Sequence, residues 1–383
     1  MKYLDEFRDP QLARRLIDDI QERATRRWKI MDVCGGQTHS LLKYGIESTL
    51  ENCVELIHGP GCPVCVTAPE TIEYAKHLAL LPNVIIATFG DMLRVPGFSA
   101  SEVSQANPPL TSSVCPGSLA DARTRGGQIQ IVYSPLDAVE LATQNPKKQI
   151  VFLAVGFETT VPATALAALQ AEQLRLRNFS LLVAHVCVLP VMQVLVGDPN
   201  CELNAFLAAG HVCAVSGHDI YRALVSESGL PVIVTGFEPL DLLAGIRCAV
   251  ELLESNNPQV VNCYSRSVSS QGNRFAQDVM ATVYKQVDRK WRGFGTIRGG
   301  GLALRERFAE MDAEKRFGTI LQIPIVHQET CRSGDVMAGR IKPHECEHFG
   351  RGCTPDQPLG APMVSNEGAC SAYYRYAPQT KRN

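Results

Sequence analysis

From Trp28 onward the chain is a series of short apolar runs, each ending in glycine, proline or polar residues. Four lie before residue 140: KIMDV into Cys34-Gly35-Gly36, VELIH into Gly59-Pro60-Gly61, VIIATF into Gly90-Asp91, and IQIVY into Ser134-Pro135. Four more follow: IVFLAV into Gly156-Phe157-Glu158, SLLVAHV, AFLAAGHV, and PVIVT into Gly236-Phe237-Glu238. Runs apolar on both alternating faces and separated by helical stretches predict parallel strands covered on both sides. Ahead of them, Asp9 and Pro10 suit a helix cap and first turn, and Leu12, Leu16, Ile17, Ile20 and Ala24 make one apolar face.

The expected fold class is therefore α/β, with two open, mostly parallel-sheet domains at 28–142 and 148–300 and about four strands in each. Residues 1–27 and 305–383 are left for a third, helical and loop-rich unit. From Gly318 regular periodicity fades while Cys, Gly and Pro accumulate, so a metal centre would have to supply the order that a core cannot. Gly-Phe-Glu closes the first and last runs of the second set, a weak hint of an internal repeat. Ser99–Gly117, rich in Ser, Pro and Asn, reads as a surface loop with Cys115 incidental to function.

In open parallel sheets ligands bind beyond the carboxyl ends of the strands. The Gly-, Cys-, His- and acid-rich segments all fall at those ends, which places the functional face.

Composition narrows the class. The chain has 383 residues, 45% of them hydrophobic, and a formal charge of −2, which gives no electrostatic case for nucleic acid. Its start, MKYLDEFRDP, lacks the apolar core of a secretory signal. The most apolar stretch, Leu181 to Gly197, carries His185 and Pro190 and reads as a strand and a short helix, not a membrane span. The expected location is the cytoplasm. Fourteen cysteines in a reducing compartment point to metal binding and thiol redox chemistry, since structural disulfides are rare there. Cys53, Cys187, Cys201, Cys213, Cys248 and Cys263 sit among apolar residues and read as inert small hydrophobes.

Three cysteine groups carry chemistry. Cys331, Cys346, Cys353 and Cys370 are separated by 14, 6 and 16 residues, and four thiolates in one loop-rich segment suit either zinc or a four-iron cluster. His344 and His348 lie close enough to substitute as ligands. Cys62 and Cys65 form a Cys-x-x-Cys pair between a strand and a helix opened by Thr67 and Glu70, able to cycle between dithiol and disulfide or to bind a soft metal. Cys34, before two glycines, Thr38 and His39, could ligate iron or act as a nucleophile; His39 could be a ligand, a proton donor or a helix-start residue. Glu158 and Glu238 could cap helices or face the cysteines as acid/base groups, and Asp91 with Arg94 has the same two readings.

Taken together, CGGQTH, GPGCPVC, FGDMLRVPG, YSPLDA, GFETT, GFEPLD and the C-terminal quartet, in this order, resemble the HypD family of hydrogenase maturation proteins. The resemblance runs from LDEFRDP to NEGAC. It implies a scaffold and redox centre for assembling the iron group of nickel–iron hydrogenases, which carries two cyanides and one carbon monoxide. It implies a small HypC-type chaperone and a HypE-type cyanide donor as partners, with a monomer before complex formation. It makes Cys331, Cys346, Cys353 and Cys370 a [4Fe-4S] site, Cys34 the ligand of the iron being assembled, and Cys62 and Cys65 a redox-active pair. Thr38, His39, Glu158 and Glu238 complete the candidate site. Two departures stand out: Gln37 replaces the usual His, and the 99–117 excursion is longer than usual. The other readings are a cluster-linked thiol–disulfide oxidoreductase acting on a small molecule, and a zinc-stabilised binding protein.

Overall fold

The computed structural model describes residues 5–98, 117–318 and 331–377; the 99–117 excursion and Cys115 lie outside them, apart from Gly117. All eight predicted runs are strands: β1 (Trp28–Asp32), β2 (Val54–His58), β3 (Val84–Thr88), β4 (Ile129–Ile131), β5 (Gln149–Gly156), β6 (Phe179–His185), β7 (Ala205–Ala209) and β8 (Val232–Thr235). A short β9 (Val260–Asn262) and the hairpin of β10 (Tyr284–Trp291) and β11 (Gly295–Leu304) were not expected. The α/β class with parallel sheets is as read from the pattern.

The strands do not pair in the expected halves. One sheet has the order β2-β1-β7-β8-β9 and the other β4-β3-β5-β6, all neighbours parallel. The division at 142–148 is therefore replaced by an interleaved arrangement in which the chain passes to the second sheet after β2 and returns after β6. A doubly buried strand has the same apolar pattern whichever neighbour it takes, so periodicity cannot choose the partner.

The faces alternate as strand geometry requires. Met31 of β1, Ile57 of β2 and Phe206 of β7 share one core with Val84 of β3 and with Val151 and Leu153 of β5, so this layer joins the two sheets. Phe152 and Ala154 point the other way, under the helices Pro135–Gln144 and Val161–Gln173. Ile30 and Leu207 lie under Pro10–Arg23 and Pro239–Glu254. Each such large apolar side chain contributes roughly 1.5–3 kcal/mol by leaving water.

The first helix is capped as expected, Asp9 Oδ1 accepting from Gln11 N at 2.8 Å and Leu12 N at 3.1 Å. Ile20 is buried, whereas Leu12 at the start of the proposed apolar face is 44% exposed. This helix packs on Pro239–Glu254, while the C-terminal helix Ala369–Tyr376 packs on Gly35–Lys43, so the two chain ends attach to the first sheet separately. Residues Leu181 to Gly197 are β6 and the helix Val188–Gly197. No helix among the described residues is long and apolar enough to cross a membrane.

Candidate iron and thiol site

Cys34 ends β1 in extended conformation (φ −148°) and stands at the cap position of the helix Gly35–Lys43. Its sulfur lies 3.9 Å from both ring nitrogens of His211, and the nearby backbone N–H groups of Gln37 and Gly36 favour its thiolate without closing a hydrogen bond to it. His211 follows β7 and stacks on Phe237, which follows β8, with centroids 5.0 Å apart. Burial pushes the Cys34 thiol up to about 12 against those two N–H groups, and Glu367 and Asp32 add to the rise. Burial also pushes His211 down to about 4. At neutral pH the pair is a protonated thiol beside a neutral imidazole.

The Gly59-Pro60-Gly61 loop is laid directly on this cysteine. Gly59 N donates to Asp32 O at 2.8 Å, and Gly35 N donates to Gly61 O at 3.0 Å. A Cβ at Gly61 would overlap the Cys34 backbone, so glycine is required by close approach. Cys62 and Cys65 follow, joined as a disulfide with Cα atoms 5.2 Å apart and nearly sealed from solvent. Cys65 N donates to Cys62 Sγ at 3.2 Å. Cys62 caps and Cys65 lies within a helix of only four residues, Pro63–Val66, so its dipole contributes far less to these sulfurs than the expected longer helix would. The expected Thr67/Glu70 capping box is not formed. Thr67 Oγ1 donates to Pro63 O at 2.8 Å, Glu70 pairs with Lys290, and the next helix starts at Pro69, whose ring presets its first turn. The unexpected hairpin braces this loop, Arg292 N donating to Val66 O at 2.8 Å.

The C-terminal cysteines converge. Cys370, on the helix Ala369–Tyr376, is held well above the ordinary thiol range by burial and then by Cys331, Cys353 and Cys346. Cys353 Sγ accepts from Leu359 N at 3.4 Å, and a Cβ at Gly360 would overlap Cys331 Sγ. Among the described residues no three Cys, His, Asp or Glu side chains form a ready-made single-ion site, so the quartet is a converging set of thiols and not a tight tetrahedron. Its donor set, four thiols with the Leu359 N–H donated to one of the sulfurs, fits a cluster whose irons would be shared among the four. The two neighbouring histidines turn elsewhere: His344 stacks on Tyr373, and His348 lies 3.7 Å from Glu347.

The remaining candidates separate. Glu158 is buried and pushed up to about 7 by that burial; its Oε1 accepts from Val188 N at 3.0 Å, and its Oε2 has no hydrogen-bond partner among the described residues. Glu238 is at the surface in a two-bond ion pair with Arg8 (2.6 and 3.0 Å), while its predecessor Phe237 faces the site. His39 meets Tyr376 edge-on, with ring centroids 5.1 Å apart. Arg94 donates to the carbonyls of Pro355 (2.6 Å) and Asp356 (3.2 Å), tying the loop after β3 to the loop beside Cys353. Glu367 packs against Gly35, and burial and then Asp91 push its carboxyl up.

Residues 11–377 match the family model described as HypD, hydrogenase formation hypA family. The chain is 41% identical to the hydrogenase maturation factor HypD of Rhodobacter capsulatus, over 98% of each chain. It is 40% identical to that of Escherichia coli K12, over 99% of each chain. It is 39% identical to that of Azotobacter vinelandii, over 99% of this chain and 98% of the relative. The chain belongs to the HypD family.

In this HypD-family chain the structure adds a buried network that the motifs did not reveal. Thr38 Oγ1 donates to Asp32 Oδ1 at 2.6 Å, Asp32 Oδ2 lies 2.5 Å from His58 Nδ1, and His58 Nε2 lies 3.3 Å from Glu47 Oε2. Glu47 Oε1 in turn accepts from Tyr373 OH at 2.5 Å and Lys342 Nζ at 3.0 Å. Burial opposes the imidazolium, but Asp32 and Glu47 outweigh it and push His58 up to about 9. Burial also opposes the Glu47 charge, and His58, Lys342 and Tyr373 outweigh it, holding that carboxyl below its usual range. The network links the strand end before Cys34 to the helix that carries Cys370. Gln37, in place of the family's usual His, donates from Nε2 to Thr235 Oγ1 at 2.6 Å and Ala208 O at 3.1 Å. Its Oε1 has no hydrogen-bond partner among the described residues.

Proposed function

We propose that this chain is the cytoplasmic scaffold and redox centre on which the Fe(CN)2CO group of nickel–iron hydrogenases is assembled. The observation that supports this best is the Cys34 thiol, 3.9 Å from the His211 nitrogens and capped by the loop of the Cys62–Cys65 disulfide. With a value near 12, roughly one thiol in 10^5 is ionised at pH 7, so Cys34 stays inert until a cation arrives. Binding the iron substrate displaces the thiol proton, and the neutral His211 imidazole stands where it can accept that proton or donate to the metal. A soft thiolate suits iron carrying strong-field diatomic ligands. Cyanide, an anion, is favoured by the backbone N–H groups of Gly36 and Gln37 in the first turn of the helix that follows Cys34.

Cys331, Cys346, Cys353 and Cys370 are the residues that would hold a [4Fe-4S] cluster, which when bound supplies one-electron chemistry. Cys62 and Cys65 offer a disulfide that takes up two electrons and two protons to become a dithiol. The proposed partners are a small HypC-type chaperone, which completes the iron's ligand set, and a HypE-type cyanide donor. The Cys62–Cys65 disulfide also suits a second reading, a cluster-linked thiol–disulfide oxidoreductase. Its burial restricts that reading to a small-molecule substrate.

Infrared spectroscopy of the anaerobically purified complex distinguishes the two. The scaffold co-purifies with its chaperone and shows iron-bound cyanide and carbonyl bands, and Cys34→Ala abolishes the bands while leaving the visible cluster absorption intact. Unchanged bands in that variant would overturn the assignment. Turnover of a small disulfide without any partner would support the oxidoreductase.

A further inference from the structure

The carboxyl ends of three adjacent strands build one stack of rings beside Cys34. β7, β8 and β9 are neighbours in the first sheet. Beyond them the chain places Gly210-His211, Gly236-Phe237 and Tyr264. His211 stacks on Phe237 with the rings 25° from parallel and centroids 5.0 Å apart, and Phe237 meets Tyr264 edge-on at 6.4 Å. The Tyr264 ring is wedged between the two glycines that precede the other rings. A Cβ at Gly210 would lie 2.4 Å from its Cδ1, and a Cβ at Gly236 would lie 2.6 Å from its Cε2. Arg266 covers Tyr264, with Cζ 4.3 Å from the ring centroid. The same guanidinium donates to both oxygens of buried Asp241, at 2.7 and 2.6 Å, and its Cζ lies 4.1 Å from the Phe7 centroid. A planar fork bound through two nitrogens keeps little freedom, so Arg266 holds Tyr264 in place.

An imidazole that serves a metal ordinarily has its orientation set by a hydrogen bond from one ring nitrogen to a carboxylate or carbonyl. His211 has no such bond: among the described residues its nitrogens meet only the Cys34 sulfur, each at 3.9 Å. With both nitrogens equally far from that sulfur, a small rotation of the ring decides which of them reaches an iron held there. Packing is left to set the rotation, and Phe237 backed by Tyr264 supplies it. We infer that Tyr264, clamped by Arg266, is a positioning residue that fixes the His211 imidazole against Cys34. The use of that imidazole rests on the proposed assembly of iron at Cys34, whereas the ring stack belongs to the metal-free protein. The contacts of Tyr264 with Gly210, Gly236, Phe237 and Arg266 are all made by its ring, so phenylalanine should serve in its place.

The test uses the full chain without metal and with isotope-labelled histidine. The His211 ring protons are identified in the NMR spectrum as those lost in His211→Gln. The ring current of the stacked Phe237 should hold them upfield, and Phe237→Leu should return them to the ordinary histidine range. Tyr264→Ala should remove most of the upfield shift, and Tyr264→Phe should retain it. Arg266→Lys keeps the charge but not the two-bond fork, and should remove a smaller part. A folded Tyr264→Ala protein whose His211 protons have not moved overturns the inference. If that variant does not fold, Tyr264→Leu, closer in volume, is held to the same outcome. Infrared spectra of the iron-loaded complex are read separately. Cyanide bands displaced or split in Tyr264→Ala and restored in Tyr264→Phe tie the stack to the iron. Bands unchanged in Tyr264→Ala while the protons move show that the iron does not use this orientation, and overturn the inference. A parent complex without such bands sinks the scaffold reading, while the proton shifts still decide whether Tyr264 positions His211.

Discussion

Asp32 and His58 meet at 2.5 Å in a volume sealed from solvent, two residues before Cys34 and four before Cys62. They are equivalent positions of paired strands, Asp32 of β1 opposite His58 of β2. Through Glu47 the same pair reaches Lys342 and Tyr373, so the segment bearing the cysteine quartet is held to the Cys34 face by buried charge as well as by apolar contact.

Breaking this network from one side leaves a buried charge without its partner. Glu47→Gln should therefore cost about 3–5 kcal/mol, measured by denaturant unfolding. Limited proteolysis should cut first in 342–377, the segment released. A variant as stable as the parent, with the same cleavage pattern, would show that the network holds nothing.

The pH dependence of the same histidine has a definite sign. His58 is raised from about 6.5 to about 9, so its contribution is fully present below about 6.5 and is lost as pH rises through about 9. It is worth up to about 3 kcal/mol. Melting temperatures from pH 6 to 10 should fall more steeply for the parent than for His58→Gln. Parallel curves would contradict the assignment.

Glu158 runs the other way for a carboxyl. Its folded value of about 7 exceeds an unfolded value near 4.3, so the folded state binds the proton more tightly and loses relative stability as pH rises between the two. Glu158→Gln keeps an oxygen for the Val188 N–H and removes the charge. The variant should gain on the parent by at most about 3 kcal/mol on going from pH 4.5 to 7.5, as read by urea unfolding. A difference that does not change with pH would rule out a raised carboxyl.

Gly61→Ala places a methyl group against the Cys34 backbone. Its expected cost is about 1–3 kcal/mol, together with loss of the iron-bound cyanide bands. Gly197→Ala, where an added Cβ meets no atom within 4 Å, is the matched control and should be close to neutral. Equal behaviour of the two would mean that the close approach is not required.

Replacing Cys353 by Ser should remove the broad visible absorption and lower the iron and sulfide counts while leaving the far-ultraviolet dichroism of the two sheets. A colourless parent protein containing zinc would instead assign the quartet to a structural ion.

The chain by itself determines the eight principal strands and sets Cys34, the Gly59–Gly61 loop and His211 beyond the carboxyl ends of β1, β2 and β7. Doubly covered parallel strands must be continuous apolar runs, and glycines must stand where backbones meet closely, as at Gly61 beside Cys34. The cysteine motifs were legible because a close Cys-x-x-Cys pair and four thiols in one loop-rich segment are patterns that thiol redox and metal chemistry require. Pairing was decided only in three dimensions, because Ile30, Val84, Val151 and Phe206 carry no mark of which sheet they join. The route from Asp32 through His58 and Glu47 to Tyr373 belongs to the same category. Glu47 and Tyr373 stand 326 positions apart and are individually ordinary, and only the fold that buries them together makes their charges and hydrogen bonds depend on each other.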